Sequence, residues 1–539
     1  MKRNGTFRLN ILLTGLFFLF TIYLYFAGYF NIDLLSDDYL NMISANSSTL
    51  AEKFSGDVPY YSKQHFRPLW FMSIQLSANL SGALGLPNDS FILYRTENLI
   101  LLFLLTLVAA HVLLLLTKQV RTSVVMSIMV LTFPNNLNSI CWTIGKVDLM
   151  TGIFIMASLF FAIKYVGDGW KRNIILSGSF LISGLLTKET AVITPLVCYL
   201  MLRYSGIGDG KSRMRIFTVH AALVISYLLF RIILTPATVS SAAVTYSDPS
   251  FLGRLTVIIQ ALISLIIPFD YLTFQHNIAG FNFITISYLT LYGIFAVSIF
   301  VVLKSRKSLK LVAMIAAILI VSIIPNLIAG YFRPQLILIP FILTKLTALL
   351  VLSQSGMKFK ITGVILSIII LFWTFIGIQN IKDWLYASIG SEQAVKELLK
   401  LPDEKIDNSV LIGLPGRFRQ THMAEYATGP YNYYRFGLNP VAVDIKDAVH
   451  VSALDAESLN SALRVESSGE NEYNIYATGE TQYFQITGSR EHTLNIEGVT
   501  ITLDSLNSFR KPTKMKIVSN IKKGNIYIYD DSQIKELTH

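Results

Sequence analysis

The chain has 539 residues, of which 53% are hydrophobic and only 15% are charged. This composition excludes an ordinary soluble globular protein and is typical of a multi-pass membrane protein. The formal net charge of +11 could indicate nucleic-acid binding, but the basic residues lie in short links between apolar runs, so we predict no nucleic-acid partner.

The first apolar run begins near Leu9 and ends near Phe30, which is long enough to cross a bilayer core. Three basic residues precede it, and the positive-inside rule places them in the cytoplasm together with the N-terminus. Because the run is longer than a signal-peptide core and no small-residue cleavage site follows it, we expect a retained helix. The first loop, residues 31–95, then lies at the outer face.

Ten further apolar runs predict ten further crossings, and the links that this order places inside are basic. The stretch 251–268 is also apolar, but counting it as a crossing would put the basic link KSRKSLK outside, so we interpret it as a re-entrant or surface-lying segment. Residues 1–380 are therefore predicted to form a polytopic α-helical membrane domain with about eleven transmembrane helices. The ten further runs cover about 96–117, 121–140, 147–166, 172–187, 189–204, 215–235, 282–303, 310–330, 334–354 and 360–380.

After residue 380 the composition becomes polar, and an odd number of crossings leaves this part outside the cell. The segment SEQAVKELLK has helical spacing, whereas SVLIGLP, YNIYATGETQYFQITG, TLNIEGVTITLD and GNIYIYDD alternate or run apolar at strand length. Residues 381–539 are thus predicted to form a soluble, strand-rich α/β domain that is large enough for its own core.

Several polar residues fall at one level of this topology, the outer surface. Ionisable residues at membrane depth are candidates for function by default, and a set on one side indicates a shared site. The members are Asp37 and Asp38 in FNIDLLSDDYLNM, His65 and Arg67 in HFRPLW, Asn98 in YRTEN, Lys146 and Asp148 in WTIGKVDLM, Lys188 and Glu189 in LLTKETAVITP, and Arg333 in GYFRP.

Each member also has a purely structural interpretation. Asp37 and Asp38 could cap the short helix DDYLNMISA, because aspartate is favoured at helix N-termini. The two arginines that precede prolines could extend to lipid headgroups. Similarly, Asp148 could cap a helix, and Lys188 with Glu189 could form a turn between two crossings.

Taken together, the residues indicate a reaction. A carboxylate can remove the proton of an attacking hydroxyl, and cations at the membrane surface can stabilise a phosphate leaving group. This combination suits transfer of a group from a membrane lipid phosphate to an acceptor hydroxyl.

The motifs SDDYLN, HFRPLW, YRTENLILL, WTIGKVDLMTGIF and GLLTKETAVITPL occur in an order and spacing that resembles the multi-pass C-superfamily (GT-C) glycosyltransferases, above all the relatives of protein O-mannosyltransferases. The resemblance implies a polyprenyl-phosphate-linked sugar as donor and an acidic catalytic residue in the first outer loop. One of Asp37 and Asp38 would be the general base and the other would orient it or the acceptor.

The resemblance also implies roles for the other members of the set. Arg67, Lys146, Lys188 and Arg333 would bind the donor phosphate, while His65, Asp148, Glu189 and Asn98 would orient these groups or bind sugar and acceptor. The chain departs from the family pattern in two places: Lys146 stands where arginine is usual, and Arg95 stands where histidine is common.

We therefore predict an inverting glycosyltransferase in the plasma membrane that transfers a sugar to a hydroxyl of a protein, a lipid or a surface glycan. A transporter or flippase of a lipid-linked saccharide, and a membrane-anchored scaffold, remain as alternatives. No cofactor is indicated with certainty, although Asp37, Asp38 and His65 could together bind a divalent metal. The aromatic segment YATGPYNYYRFG could stack on an acceptor sugar or could simply pack within its own domain.

Overall fold

The computed structural model describes most of the chain, and the following account concerns that part alone. The described residues are 3–60, 66–87, 89–234, 251–268, 274, 277–278, 282–305, 309–329, 334–354, 360–407, 409–419, 421–423, 428–439, 441–443, 445–469, 471–486, 493–496, 498–504, 512–519, 526–530 and 532–537.

Helices make up the first three quarters of the chain. They are α1 (Arg3–Ala27), α2 (Ser36–Ser47), α3 (Leu50–Ser55), α4 (Pro68–Ala83), α5 (Phe91–Thr117), α6 (Val120–Thr132), α7 (Pro134–Cys141), α8 (Lys146–Asp168), α9 (Lys171–Thr187), α10 (Thr194–Ser205), α11 (Gly210–Leu234), α12 (Phe251–Ser264), α13 (Phe283–Ser305), α14 (Leu309–Ala329), α15 (Leu338–Gln354) and α16 (Lys360–Leu398).

Five helices within the described ranges are long and apolar enough to cross a membrane: α1, α5, α8, α11 and α16. A sixth crossing results if α6 and α7, which meet at a 60° bend, form one broken span. The expected helical membrane protein is therefore confirmed, but the expected eleven crossings are not. The spans expected at 172–187 and 189–204, for example, form α9 and α10, which have 17 and 12 residues, fewer than the roughly 20 that a bilayer core requires.

The bend between α6 and α7 has a local cause in the sequence. Pro134 is the first residue of α7, and the residue before a proline is driven out of the helical conformation. Phe133 is accordingly extended, with φ −67° and ψ 118°. The bend turns α7 towards α16, where the Asn138 side chain accepts a 3.0 Å hydrogen bond from the Trp384 indole.

The strand-rich region expected after the membrane part is present and contains two sheets. The strands are β1 (Val410–Phe418), β2 (Thr421–His422), β3 (Lys446–Ala453), β4 (Leu463–Gly469), β5 (Glu472–Ala477), β6 (Tyr483–Ile486), β7 (Thr493–Ile496), β8 (Val499–Leu503), β9 (Lys514–Ser519), β10 (Ile526–Asp530) and β11 (Gln533–Glu536). Three short helices join them: α17 (Asp403–Ile406), α18 (Thr428–Phe436) and α19 (Ala456–Leu459).

The two sheets differ in topology. The first has the order β11-β10-β1-β3-β6, with β2 beside β1, and its three central strands β10, β1 and β3 run parallel. The second has the order β4-β5-β9-β8-β7 and is antiparallel throughout. Apolar side chains of the two sheets form one core, whereas the opposite face of the first sheet packs against α16 and α18.

Helix α16 connects the membrane part to the first sheet without a break. It has 39 residues and continues past residue 380, where the domain boundary was expected. Its last turns bury Ala394 and Leu398 against Leu411 and Tyr527 of the sheet. Near its middle, Asp383 accepts hydrogen bonds of 3.0 and 3.1 Å from the guanidinium of Arg419 at the end of β1.

The short turn before α8 allows a test of packing between α7 and α8. A Cβ atom added at Gly145 would lie less than 3.0 Å from the backbone oxygen of Ser139, so we expect Gly145→Ala to lower the stability by about 1–3 kcal/mol through overpacking. Nothing lies within 4 Å of a Cβ added at Gly82 in α4, so Gly82→Ala should be neutral or stabilising by up to about 1 kcal/mol. Thermal unfolding midpoints of the two variants in one detergent test this; equal midpoints would contradict the packing at Gly145.

Candidate functional site

The adjacent acidic residues Asp37 and Asp38 lie in the first turn of α2 and occupy different environments. Asp38 is buried, and its two carboxylate oxygens accept hydrogen bonds from the backbone N–H groups of Leu35, at 2.9 Å, and Ile144, at 3.2 Å. Asp37 is half-buried and accepts a 3.1 Å hydrogen bond from the indole of Trp142. Asp38 is thus fixed by backbone on both sides, whereas Asp37 is the more accessible carboxylate.

Burial raises the pKa of Asp38 to about 6, although Arg95 and the hydrogen bonds from Leu35, Thr143 and Ile144 oppose that rise. A group with this pKa changes its charge near neutral pH, in a range where ordinary aspartates are fully ionised. Asp38 would therefore be protonated below about pH 6 and ionised above it.

Arg95 of α5 fixes the segment that leads into α2 and its acidic residues. It is fully buried, and its guanidinium donates to the carbonyl oxygens of Ile32 at 3.1 Å and Asp33 at 2.8 Å, just before α2. The same guanidinium donates to the carbonyls of Ile140 and Cys141, the last residues of α7. One side chain therefore joins the segment before α2 to the end of α7.

Two further buried side chains support this junction. Asn98, one turn after Arg95, donates to the carbonyl oxygens of Ile140 at 3.2 Å and Trp142 at 3.0 Å. The Tyr29 hydroxyl lies 2.8 Å from the Arg95 carbonyl oxygen and 3.2 Å from that of Ile140. Asn98, which we expected to bind sugar or to orient other groups, thus contacts the backbone of the segment that carries Trp142.

Lys146, a candidate for donor-phosphate binding, is buried at the start of α8. Its ammonium group lies 2.9 Å from a carboxylate oxygen of Glu97 and 2.8 Å from the hydroxyl of Ser77. The Ser77 hydroxyl also donates to Glu97 at 2.6 Å. In this conformation Lys146 belongs to a closed triad that links α4, α5 and α8.

The second buried ion pair joins Asp148 of α8 to Lys188, which follows α9. The two charged groups lie 2.5 Å apart, and both side chains are 7% exposed. Thr190 and Asn326 line a small cavity beside Asp148. At about 10 Å³ this cavity has room for at most about one water molecule, so no phosphate fits there as the side chains stand.

The third ion pair is the most open of the set. Arg67, the residue before α4, donates to Glu189 at 2.8 Å and 3.4 Å, and the Glu189 side chain is 37% exposed. Burial alone would raise the pKa of the Glu189 carboxyl, but Arg67, Arg231 and Lys188 outweigh burial and hold that pKa well below its ordinary range. Three cations thus lie around one carboxylate, near the start of α4 and the ends of α9 and α11.

Aromatic contacts hold this cluster together. The ring of Phe66, the neighbour of Arg67, lies 6.4 Å from the ring of Tyr227 and 6.0 Å from that of Phe230, both on α11. Arg231 follows directly on the same helix. Packing of the loop before α4 on α11 therefore brings Arg67 and Arg231 to the same place.

A group of tyrosines connects α2 with the strand-rich region. Tyr39, next to Asp38 in sequence, lies with its hydroxyl 3.0 Å from that of Tyr434 in α18. Its ring centre is 5.1 Å from Tyr433 and 5.6 Å from Tyr434. The aromatic segment YATGPYNYYRFG therefore makes two kinds of contact. Tyr431 is buried in its own domain, whereas Tyr433 and Tyr434 contact α2, the helix that carries the acidic residues.

Two residues of the predicted site, His65 and Arg333, lie outside the described residues, so the suggested metal site at Asp37, Asp38 and His65 stays a prediction. Within the described ranges no group of three or more histidine, cysteine, aspartate or glutamate side chains could hold a metal ion.

The structure adds four residues to the site that the sequence analysis did not select: Arg95, Glu97, Trp142 and Arg231. Trp142 and Glu97 stand inside the motifs WTIGKVDLM and YRTEN, which were considered for their other members. Arg231 and Arg95 could both have been found as charges at the ends of apolar runs, and Arg95 also stands inside YRTEN. The sequence does not mark the partners of Arg95, which are distant backbone carbonyls.

No family model and no curated protein matches this chain. The resemblance to C-superfamily glycosyltransferases therefore stays a prediction that rests on the motifs themselves.

Arg95 allows a direct test of the junction. We expect Arg95→Met to lower the thermal stability by at least about 3 kcal/mol, because four buried carbonyl oxygens lose a charged donor at once. Arg95→Lys keeps the charge but not the planar fork, so it should restore only part of that loss. Arg172→Met, on the exposed first turn of α9, is the control and should stay within about 0.5 kcal/mol of the wild type. A fully stable Arg95→Met variant would contradict this account.

Proposed function

We propose that this protein is an inverting glycosyltransferase, which transfers a sugar from a polyprenyl-phosphate carrier to an acceptor hydroxyl at the outer face of the plasma membrane. The observation that supports it most is a series of polar contacts that short stretches of the chain link to one another. Asp37 contacts Trp142, which precedes α8, and Asp148 in the first turn of α8 contacts Lys188. Lys188 is followed in the chain by Glu189, which contacts Arg67. A candidate base and a cationic cluster are thus parts of one network.

The cationic cluster has the charge that a phosphate leaving group needs. Arg67, Lys188 and Arg231 contribute three positive charges, and Asp148 and Glu189 contribute two negative ones, which leaves a net charge of +1. Arginine can hold a phosphate through two parallel hydrogen bonds. The carrier phosphate would bind Arg67 and Arg231 by displacing Glu189, the most exposed of the paired carboxylates.

Asp37 is the better candidate for the base. It is half-buried and can meet an acceptor, while both oxygens of Asp38 accept from backbone N–H groups. The acceptor oxygen attacks the anomeric carbon from the side opposite the phosphate and forms the new glycosidic bond. The bond between that carbon and the phosphate oxygen breaks, its electron pair leaves with the phosphate, and the acceptor proton passes to Asp37. A single displacement of this kind inverts the anomeric configuration.

Asp38 acts in this scheme as a positioning residue. Its hydrogen bond from Ile144 joins α2 to the turn that begins α8, and therefore sets the distance between Asp37 and the cations. Lys146 has a similar supporting role, since its charge is neutralised by Glu97. Arg333 and His65 remain further candidates for the phosphate and the acceptor.

The acidic residues are tested by transfer assays with a polyprenyl-phosphate sugar. Asp37→Asn should lower kcat by about 100-fold or more, because a general base contributes about 10²–10⁴-fold to a rate. Wild-type activity should rise with pH near 6, as Asp38 becomes ionised. Asp38→Asn should retain more activity than Asp37→Asn but should lose this rise, since the titrating group is gone. Asp57→Asn, in the same outer loop and exposed, is the matched control. Full activity of Asp37→Asn, or carrier flipping by pure protein without sugar transfer, would contradict the proposal.

The phosphate site is tested separately through the donor. Arg67→Met and Arg231→Met should each raise the KM for the polyprenyl-phosphate sugar at least about tenfold, since a charged hydrogen bond contributes about 1.5–3 kcal/mol. The acceptor KM should change little. Arg172→Met serves as the control here as well. An unchanged donor KM in both arginine variants would exclude this cluster as the phosphate site.

A further inference from the structure

A cleft in the strand-rich region lies away from Asp37 and Asp38. Its volume is about 200 Å³, and it is lined by the middle of β1, by the ends of β3 and β10, by nearby connecting segments and by the second half of α16. Tyr386, Ile389, Gly390 and Gln393 form the α16 side. The proposed transfer reaction does not use any of these residues.

The position of the cleft follows a general rule for parallel sheets. Strand β1 continues through α18 to β3 on one side, while β10 pairs with β1 on its other side, so the strand order reverses at β1. In open α/β sheets, ligands bind outside the carboxyl ends of the strands at such a reversal. The cleft lies towards this end, because Tyr529 and Asp530 are the last residues of β10 and Val451 lies near the end of β3, although it borders the middle of β1.

A glycine that no other residue can replace without strain stands where β1 borders the cleft. Gly413 has φ +87°, a conformation that only glycine adopts without strain, and an added Cβ would lie 2.7 Å from the carbonyl oxygen of Tyr529. Any larger residue at position 413 of β1 would therefore clash with β10. Gln482, which is buried, accepts from the backbone N–H of Thr478 and donates to the carbonyl oxygen of Ser461, and so fixes two of the lining loops to each other.

The lining combines fixed polar groups with aliphatic surface, and none of its described residues is a lysine or an arginine. The Asp530 carboxylate accepts from the backbone N–H of Leu463 at 2.7 Å and from Lys535 at 2.9 Å, which leaves each oxygen with a further lone pair. The Tyr386 hydroxyl accepts from Asn460 at 3.0 Å, and a hydroxyl that accepts one hydrogen bond can still donate its own hydrogen to a ligand. Ile389 and Leu459 supply apolar surface beside these groups.

We propose that this cleft binds a neutral, hydroxyl-rich ligand of about one sugar residue. The nearest described cation, Lys535, is paired with Asp530, which disfavours phosphates and carboxylates, whereas the Asp530 carboxylate and the Tyr386 hydroxyl suit the hydroxyl groups of a sugar. The volume is below the range of about 300–1,000 Å³ that holds drug-sized ligands. An extended peptide usually pairs with an edge strand, but β1, β3 and β10, which border the cleft, are each paired on both sides.

The proposal is tested by saturation-transfer NMR with the full-length protein in detergent, without any carrier-linked donor. The probes are the methyl glycosides of mannose, glucose, galactose and arabinose, together with inorganic phosphate and an uncharged tripeptide. At least one glycoside should bind, and phosphate and the tripeptide should not. Tyr386→Phe should weaken glycoside binding about fivefold by removing one hydrogen bond.

Ile389→Trp should abolish binding by filling the cleft, and it should fold, because Ile389 is 57% exposed. Tyr476→Phe, in β5 and outside the lining, is the matched control and should bind as the wild type does. Binding of none of the glycosides, binding of the tripeptide or phosphate alone, or glycoside binding that survives both cleft variants would overturn the proposal. Transfer activity is not part of this readout, so the two proposals can fail independently.

Discussion

The candidate site depends on one buried guanidinium, that of Arg95. A buried charge is tolerated only when its hydrogen bonds are satisfied, and the planar fork of arginine can reach four oxygens in two directions. The last carbonyls of a helix lack partners within the helix and carry the negative end of its dipole. Arg95 satisfies those of α7 and, with the same group, two carbonyls before α2. The short helix with the acidic residues is thereby fixed against Trp142 and Ile144.

Charge pairing shapes the rest of the site. Lys146, Lys188 and Arg67 each contact a carboxylate from another segment, which lowers the cost of placing cations near lipid. The three pairs differ in exposure, since the first two are nearly closed and the Arg67–Glu189 pair is open on the glutamate side. Under the proposed function, the carrier phosphate would meet this pair first, and Arg231 would add a charge that favours the exchange of carboxylate for phosphate.

The sequence was sufficient for features that depend on local pattern. The apolar runs indicated the helical membrane part, and the alternating segments after residue 408 indicated β1, β5, β6, β7, β8 and β10. The capping interpretation of Asp37 and Asp38 is confirmed in part, since Asp38 accepts from the backbone N–H of Leu35 at the start of α2, whereas the catalytic interpretation stays a prediction.

The sequence was insufficient where partners are far apart in the chain. Arg95 contacts carbonyls 45 and 63 residues away, and the acidic partners of the cations come from other helices, so no local pattern marks either. The expected number of crossings was not confirmed for a different reason. Apolar content alone made one straight span of residues 121–140, which bend by 60° at Pro134, and a full span of 189–204, where α10 begins only at Thr194. Strands β3, β4, β9 and β11 were also not predicted, because their register is set by neighbours.

The length of α16 determines how the strand-rich region relates to the acidic residues. Its 39 residues at about 1.5 Å each span about 58 Å, nearly twice the thickness of a bilayer core, so a large part of the helix extends beyond the lipid. Trp384 binds it to α7, and Asp383 binds it to β1, within one turn of each other. Through α16, the sheet is therefore attached to α7, the helix whose end Arg95 binds. Because of this attachment, Tyr433 and Tyr434 can pack against Tyr39 beside the acidic residues. The strand-rich region therefore borders the candidate site.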